Sequence, residues 1–239
     1  MLLPPGGRGR LGGPMDLVEM WPPAGVRVQC GDLELRYLDD ELLTRLAALG
    51  GEGIHDPATM PFTRSWTRGT PEEVRRSILQ YQWGLRGSFS REKWSLELAV
   101  LRDGEVLGIQ GLYAQDFAVT REAETGSWLG LRHHGRGVGT RMRLAILHLL
   151  FEGLDAERAT TSAFADNGPS NGVTRRLGYE ANGESLVARE GAPARSLRYV
   201  MHRAVWAARG PEQRPDVVLH GVPALRTFLG LDEAEGSSR

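Results

Sequence analysis

Hydrophobic and polar residues alternate with two different periods near the start of the chain. LELRYL, residues 33–38, alternates as a half-buried strand does, and DDELLTRLAAL directly after it places leucines at helical spacing. An aspartate at position 39 or 40 is suited to cap that helix. TPEE, residues 70–73, combines a capping threonine, a proline and an acidic first turn, so it predicts a second helix through VRRSILQYQWGL.

The middle of the chain changes to the period of strands. WSLELAVLRDGEVLGIQGLYA contains apolar runs on both sides of Asp103-Gly104 and predicts a β-hairpin. A further strand is predicted at about residues 122–131. After the glycine-rich stretch HHGRGVGT, an apolar helix runs to about Glu152, and Gly153 is its predicted stop.

The last third of the chain repeats this alternation of strand and helix. ERATTSAFA predicts a strand, a short helix follows Gly168-Pro169, and two strands are predicted near residues 179–189 and 196–206. The order is therefore one strand, two helices, three strands, a helix, a strand, a helix and two strands. This order predicts a mixed α/β sheet, with antiparallel hairpins early and helix crossovers late.

Composition divides the chain into three parts. Residues 1–25 are rich in proline and glycine and predict a flexible arm, with Met15 as an alternative start. Residues 26–206 form the predicted domain, and residues 207–239 form a polar C-terminal extension. Within it, VPALRTFLGL is either a helix that packs back or joins a partner, or a fraying amphipathic end.

Charge and cysteine content exclude several classes of function. Lys+Arg 29 against Asp+Glu 30 gives a net charge of -1, so no global basic field recruits nucleic acid or an acidic membrane surface. No apolar run approaches the ~20 residues that a membrane span needs. Cys30 is the only cysteine, which excludes an intrachain disulfide and a cysteine metal cluster and favours a cytoplasmic protein. The bias toward arginine, glycine and alanine suits a high-GC bacterial genome.

The stretch HHGRGVGT, residues 133–140, predicts an anion site. A glycine-rich turn between a strand and a helix exposes first-turn N–H groups to a phosphate, and the helix dipole adds positive charge there. Arg136 and Arg141 add local cationic charge. The spacing GxGxG fits neither the Walker pattern GxxxxGK[ST] nor the dinucleotide pattern GxGxxG. A simple turn into a helix is the alternative interpretation.

Three motifs resemble those of one family, the GNAT N-acyltransferase superfamily. HGRGVG, residues 134–139, resembles its acyl-CoA loop, Q/R-x-x-G-x-G/A, although His134 stands where the family usually has Gln or Arg. NGPSNGVTRRLGY, residues 167–179, resembles its N-x-x-S-x-x-V-x-x-x-L-G-F signature. AETGSWLGL resembles the E-x-G-x-W-L strand of the ribosomal-protein N-terminal acetyltransferase branch. The resemblance covers roughly residues 33–206 and is strong over residues 124–179.

The resemblance implies the GNAT fold, with a mixed, mostly antiparallel central sheet flanked by helices, and transfer of an acetyl group from acetyl-CoA to a primary amine. The acyl-CoA-binding residues that it implies are Leu129, Gly130, Leu131, His134, Gly135, Arg136, Gly137, Val138, Gly139, Thr140, Asn167 and Ser170. Backbone groups of residues 129–131 would bind the pantetheine arm, and one N–H there would face the oxyanion.

The resemblance also implies catalytic roles. Glu124 is the first candidate for the base that takes the amine proton and Glu122 the second, with solvated edge carboxylates as the alternative. Many members hydrogen-bond the departing thiolate with a tyrosine, but Thr174 stands at that position. Ser170 is therefore the expected partner of the sulfur, with helix capping as its alternative role.

No metal site is predicted, because the spacing of His133, His134 and His148 is not a zinc pattern. The acceptor pocket is expected from the early helices, the loop MPFTRSWTRG and the last hairpin. Its candidate aromatic walls are Phe62, Trp66, Tyr81 and Trp83, for which a core role is the alternative.

Several functions stay open at this level. The acceptor is a peptide or protein N-terminus or a small-molecule amine. The alternatives are succinyl-CoA or another acyl-CoA donor acting on a lysine or small amine, for which Arg64 and Arg68 would suit an acidic partner, and a non-catalytic acyl-CoA-binding regulatory module. A homodimer is an expectation at the level of the family.

Overall fold

The computed structural model describes residues 16–210, 213–214 and 216–232 of the chain. The predicted flexible arm lies outside the described residues over positions 1–15, and so does the end of the C-terminal extension, residues 233–239. The strands are β1 Arg27–Cys30, β2 Leu33–Tyr37, β3 Lys93–Arg102, β4 Glu105–Gln115, β5 Glu122–Leu129, β6 Arg158–Phe164, β7 Glu180–Arg189, β8 Ala192–His202 and β9 Val217–His220.

The helices fall between these strands. They are α1 Leu17–Met20, α2 Asp40–Glu52, α3 Pro71–Gly87, α4 Phe117–Thr120, α5 Val138–His148, α6 Gly168–Arg176, α7 Arg203–Ala207 and α8 Val222–Phe228. A π-helical turn, Leu149–Gly153, continues α5, so the predicted helix end at Glu152 and Gly153 is confirmed.

Local signals explain why the predicted elements form. Thr70 Oγ1 accepts a hydrogen bond from the N–H of Glu73 at 3.3 Å, and Glu73 Oε2 accepts one from the N–H of Thr70 at 2.7 Å, which completes a capping box at α3. Asp103 and Gly104 both have positive φ, 49° and 77°, as the tight turn between β3 and β4 requires. The predicted helix start and hairpin are therefore confirmed.

All strands belong to one sheet of order β7-β8-β6-β5-β4-β3-β2-β1-β9. Every neighbouring pair is antiparallel except β5 and β6, which are parallel. A mixed, mostly antiparallel sheet flanked by helices is the fold that the sequence predicts, and the prediction is confirmed. β1 and β9 are absent from the predicted order.

The predicted strand at residues 196–206 is wrong at its end. β8 ends at His202, and the chain then turns into α7. The turn is held by Arg203, whose Nε donates to the carbonyl of Ala156 at 2.8 Å, and by Trp206, whose indole N–H donates to Glu152 Oε1 at 2.7 Å. These partners lie about fifty positions away, so the local pattern does not contain them.

The described residues at both ends of the chain pack on the domain. Trp21 makes edge contacts with Phe89 and Phe228, at ring-centroid distances of 5.1 and 5.4 Å. β9 pairs with β1, and α8 buries Val222 and Leu225. The described part of the segment VPALRTFLGL therefore packs back on its own chain. The three-part division of the chain stays a proposal.

Helices on the two faces of the sheet define the two sides of β5. Ala123 and Leu129 of β5 pack in the cluster that contains Val138 and Met142 of α5. Trp128 packs against the second cluster, built from α2 and α3. Because successive strand residues point to opposite faces, odd-numbered residues of β5 face α5 and even-numbered ones face α2 and α3.

Candidate active site

A gap opens between β5 and β6 in the middle of the sheet. The two strands pair only from Glu122 with Arg158 to Glu124 with Thr160, although both continue beyond these residues. One residue farther, a side-chain hydrogen bond replaces the backbone pairing, since Thr161 Oγ1 donates to the carbonyl of Thr125 at 3.0 Å. Beyond that point the facing edges of the two strands are available to a ligand.

The peptide groups of β5 that face this gap follow from its pairing with β4. The N–H of Gly130 donates to the carbonyl of Leu107 at 2.9 Å, which sets the register of the antiparallel ladder. Since hydrogen bonds in such a ladder alternate, the peptide groups of Ser127 and Leu129 point away from β4 and toward β6. The sequence predicted Leu129 but missed Ser127.

Two of the other predicted backbone groups are engaged elsewhere. The N–H of Gly130 bonds to Leu107, and the N–H of Leu131 donates to the carbonyl of Gly53 at 3.0 Å. Of the predicted residues 129–131, only Leu129 therefore has its peptide N–H directed toward the gap.

The glycine-rich turn stands at the end of this gap. Gly135 and Gly137 have positive φ, 72° and 75°, and a Cβ at either position would meet no heavy atom within 4 Å. Gly137 is the N-cap of α5, so the first N–H groups of the helix, at residues 138–140, lie behind open space. A Cβ at Gly139 would lie 3.9 Å from Leu129 Cδ1 and 4.0 Å from Val173 Cγ2 of α6. The turn therefore leaves open space in front of these N–H groups, next to β5 and α6.

His134 ties the turn to the strand. Its Nε2 lies 3.0 Å from the carbonyl oxygen of Leu129, and because a carbonyl only accepts, this nitrogen carries the proton. Although the position usually holds Gln or Arg, the histidine supplies a donor there. It fixes the last residue of β5 against the start of the turn.

The cations near the turn divide into paired and exposed groups. Arg141 binds Asp32, and this hydrogen bond lowers the pKa of the Asp32 carboxyl. Arg132 binds Glu52 and Glu105. Arg136 is exposed on the turn and has no ion pair within the described part of the chain. Of the two arginines that the sequence assigned to the anion, Arg141 is therefore already paired and Arg136 is available.

The two candidate bases have different surroundings. Glu122 forms an ion pair with Arg158 at 2.8 Å, on the short paired segment of β5 and β6. Glu124 is exposed, and its Oε1 accepts a hydrogen bond from Ser162 Oγ at 3.2 Å. Both face the side of α2 and α3. A carboxylate paired with an arginine is a poor base, so the geometry favours Glu124.

The first turn of α6 brings Asn167 and Ser170 to the same side of the sheet as α5. Asn167 Oδ1 accepts the N–H of Ser170 at 3.2 Å, so Asn167 caps the helix and the Ser170 side chain does not. Thr174, at the position of the family tyrosine, is buried and donates to the Ser170 carbonyl at 3.0 Å. Ser170 therefore remains the hydroxyl that α6 presents.

The face toward α2 and α3 holds a buried carboxyl that the sequence did not reveal. Glu97 of β3 is 7% exposed, and Tyr113 of β4 donates its hydroxyl to Glu97 Oε1 at 2.5 Å. Burial raises the pKa of Glu97 to about 7, and the hydrogen bond from Tyr113 opposes that rise. Gly111 and Gly126 pair across β4 and β5 beside this group. A Cβ at Gly111 would approach Glu97 Oε2 to 2.8 Å, and one at Gly126 would approach the Tyr113 ring to 2.8 Å.

The opposite face holds a second buried ion that the sequence missed. Arg143 of α5 is 6% exposed, and its guanidinium reaches across the gap. One nitrogen donates to Thr161 Oγ1 of β6 and another to Ser127 Oγ of β5, both at 3.2 Å. An arginine within an apolar helix gives no sequence signal for such a bridge, because both partners come from other elements.

An aromatic wall and an ion pair cover the α2 and α3 side. Phe62 lies 4.9 Å from Trp66, which lies 5.9 Å from Trp128 of β5, measured between ring centroids. Tyr81 and Trp83 are about half exposed on α3. Arg68 Nε binds Glu190 Oε1 at 2.7 Å, so the loop containing MPFTRSWTRG is joined to the turn between β7 and β8.

The histidines do not assemble a metal centre. No group of three or more His, Cys, Asp or Glu side chains suited to a metal ion occurs among the residues described. His133 is buried beside Arg132, whose Nε donates to His133 Nε2 at 3.1 Å, and burial lowers the pKa of His133. Burial likewise lowers the pKa of His148, which packs against Trp206. In the described segments, no helix has the length and apolar character needed to cross a membrane.

Comparison with known proteins gives one family. The sequence profile described as "Acetyltransferase (GNAT) domain" matches residues 32–180, which include β5, the glycine-rich turn and α6. A Bacillus subtilis (strain 168) protein named "Putative ribosomal N-acetyltransferase YdaF" is 31% identical over 90 residues. That alignment covers 38% of this chain and 49% of the relative, so the chain spans about half the length of this curated relative.

Solved structures agree on the fold. A RimL structure, titled as a ribosomal L7/L12 alpha-N-protein acetyltransferase in complex with coenzyme A, is similar with a TM-score of 0.58 at 19% identity, covering 73% of this chain and 96% of that one. RimJ of Mycobacterium smegmatis, in complex with CoA-disulfide, gives a TM-score of 0.60 at 20% identity, covering 79% of this chain and 96% of that one. The Bacillus subtilis relative and RimL are both named as ribosomal acetyltransferases.

Proposed function

Because the chain belongs to the GNAT acetyltransferase domain family, whose members are acyl-CoA-dependent N-acyltransferases, we propose that it transfers an acetyl group from acetyl-CoA to a primary amine by direct attack. The observation that carries the proposal is the placement of the peptide groups of Ser127 and Leu129 at the gap, next to the open glycine-rich turn. A donor with an extended amide arm and a pyrophosphate matches both features.

The donor lies along the α5 side of the gap in this proposal. The first-turn N–H groups of α5 at residues 138–140 and the exposed Arg136 hold the pyrophosphate. The peptide groups of Ser127 and Leu129 bind the pantetheine arm, and the N–H of Ser127 or Leu129 faces the developing oxyanion. Ser170, free of a capping role, donates a hydrogen bond to the departing sulfur.

The acceptor enters from the side of α2 and α3. A primary amine is mostly protonated at neutral pH, since alkyl ammonium groups titrate near ~10 and α-amines near ~8. Glu124 takes this proton directly or through a water, because it is the exposed carboxylate of β5 on that face and carries no arginine partner within the described residues. The aromatic wall of Phe62, Trp66 and Trp128 lies on the same side.

Peptide or protein N-termini are the acceptors that we propose first, since RimL is named as an alpha-N-protein acetyltransferase and the Bacillus subtilis relative as a ribosomal N-acetyltransferase. Small-molecule amines remain within the same chemistry. The succinyl-CoA alternative rested on Arg64 and Arg68, and the charge of Arg68 is taken up by Glu190 at 2.7 Å. The cytoplasmic location and the homodimer stay predictions.

Turnover of acyl-CoA with a panel of amines tests the proposal. Purified protein is supplied with acetyl-CoA or succinyl-CoA and with peptides bearing free N-termini, lysine or small amines, and thiol release is followed. We expect release with acetyl-CoA and at least one primary amine, and none with the same peptide blocked at its N-terminus. Binding of acetyl-CoA without release for every amine would instead indicate the non-catalytic module.

A further inference from the structure

Arg143 is a buried cation without a counter-ion. Its side chain is 6% exposed, and the described residues place no carboxylate within ion-pair distance of it. Its two hydrogen-bond partners, Ser127 Oγ and Thr161 Oγ1, are neutral hydroxyls. Its Nε is buried and finds no acceptor in the part of the chain that the structure describes.

Such a group is unfavourable unless something offsets it. Removing a guanidinium from water costs several times more than removing a neutral polar group, and folded proteins normally pair buried charges. Met142 and Leu147 of the same helix are buried apolar residues, so Arg143 is a buried charge in a helix that otherwise buries apolar side chains nearby. The missing negative charge is therefore expected from a molecule that binds beside the guanidinium.

The position of Arg143 identifies where that charge must lie. Its guanidinium spans the gap from Ser127, three residues beyond the last paired residue of β5, to Thr161, one residue beyond the last paired residue of β6. It lies on the α5 side, which is the donor side in the proposed function. In that proposed function the thioester sulfur is on this side of the gap, and negative charge develops on it during transfer.

We infer that Arg143 is the electrostatic partner of the coenzyme A thiolate, in a chain where Thr174 replaces the tyrosine that serves the sulfur in many relatives. This inference rests on the proposed function. Ser170 supplies a hydrogen bond to the sulfur in that scheme, and Arg143 supplies the charge that Ser170 lacks.

The reaction balances with the arginine unchanged. The amine nitrogen forms a bond to the carbonyl carbon, and the carbon–sulfur bond breaks with its electron pair on sulfur. The amine proton passes to Glu124 or to water, and the thiolate takes a proton from solvent after release. Arg143 donates no proton, because a guanidinium stays protonated in proteins; it lowers the energy of the thiolate by charge and hydrogen bonding.

The test compares the affinity of coenzyme A with that of desulfo-coenzyme A, which lacks the thiol, by calorimetry between about pH 6 and pH 9. A free thiol titrates near about 8.5, and a close cation lowers that pKa. In the wild-type protein we expect the affinity ratio of the two ligands to rise about tenfold over this range, as one unit of pKa shift implies. A merely structural role of Arg143 would leave the ratio flat.

Two variants sharpen the comparison. Arg143→Gln removes the charge and should flatten the ratio while desulfo-coenzyme A still binds, whereas Arg143→Lys should keep part of the rise. If Arg143→Gln fails to fold, the wild-type profile still decides, because a flat wild-type ratio overturns the inference. An unchanged rise in folded Arg143→Gln also overturns it. Failure of both ligands to bind the wild-type protein would overturn the proposed function itself.

Discussion

The two faces of the sheet around β5 bury charges of opposite sign. On the α5 face, Arg143 bridges Ser127 and Thr161 without a carboxylate among the described residues. On the α2 and α3 face, Glu97 is buried with Tyr113 as its hydrogen-bond donor, and its Oε2 finds no partner within the described chain. In the proposed function, the positive face is on the side of the departing thiolate and the acidic face is on the side of the incoming ammonium.

The two faces manage these charges differently. An arginine keeps its proton in proteins, so the α5 face is permanently positive. A carboxylic acid can become neutral when buried, and Glu97 does so near neutrality, where burial raises its pKa to about 7. The buried charge of the α5 face is thus constant, whereas that of the α2 and α3 face changes with pH.

Gly137→Asp should produce the largest change, and on the donor face only. A carboxylate about 4 Å from a phosphate costs about 4 kcal/mol at an effective dielectric of 20, so acetyl-CoA affinity should fall on the order of 1,000-fold. Gly137→Asn is the matched control, because both side chains must adopt the φ of 75° but only aspartate adds charge. Calorimetric titration measures both variants. Equal affinity for acetyl-CoA in the two variants would show that the pyrophosphate does not bind at this turn.

Glu124→Gln should act on the acceptor face and spare the donor. We expect turnover to fall about 100-fold, with the greatest loss at low pH, where the amine is most protonated, and acetyl-CoA affinity to stay unchanged. Glu122→Gln is the control, since Glu122 is already paired with Arg158 at 2.8 Å. Rates measured across pH for both variants decide the matter. A parallel loss at every pH would assign the proton to a different group.

Glu97→Gln separates stability from catalysis on the same face. A folded-state pKa of about 7, above the unfolded value of about 4.3, means that the folded state binds the proton more tightly. The contribution of Glu97 to stability is therefore full below about pH 4.3 and is lost as pH rises through about 7. The free energy of unfolding of Glu97→Gln, taken relative to that of wild type, should therefore be up to about 3 kcal/mol higher at pH 8 than at pH 4.

Urea unfolding at several pH values measures this difference. Tyr113→Phe is a useful companion variant, because the Tyr113 hydroxyl opposes the rise in the pKa of Glu97. Removing this hydroxyl should raise the pKa of Glu97 further, so the loss of stability should continue to a higher pH. A difference between Glu97→Gln and wild type that does not vary with pH would show that Glu97 keeps one protonation state throughout.

Sequence patterns predicted local structure better than contacts between distant elements, for a physical reason. The turn at Gly137 and the capping box at Thr70 are local, because every partner lies within a few positions. Glu97 and Tyr113 are 16 positions apart and meet only through the register of β3 and β4. Arg143 likewise meets Ser127 only across the gap. Spacing along the chain predicts helix ends and turns, but not which buried charges the sheet brings together.

Arg68→Ala should have the smallest effect. It tests the loop of residues 57–68, which covers the acceptor face and is here called the cover. Arg68 joins the loop of residues 57–68 to Glu190 in the turn between β7 and β8, through an exposed pair at 2.7 Å. An exposed ion pair adds little stability, so the melting temperature should change by less than about 2 °C. The KM for the amine should change a few-fold, while acetyl-CoA affinity and kcat stay constant.

Glu190→Gln, which removes the other half of the pair, should reproduce the result. A change in acetyl-CoA affinity in either variant would mean that the cover also reaches the donor face, and the separation of the two faces would then fail.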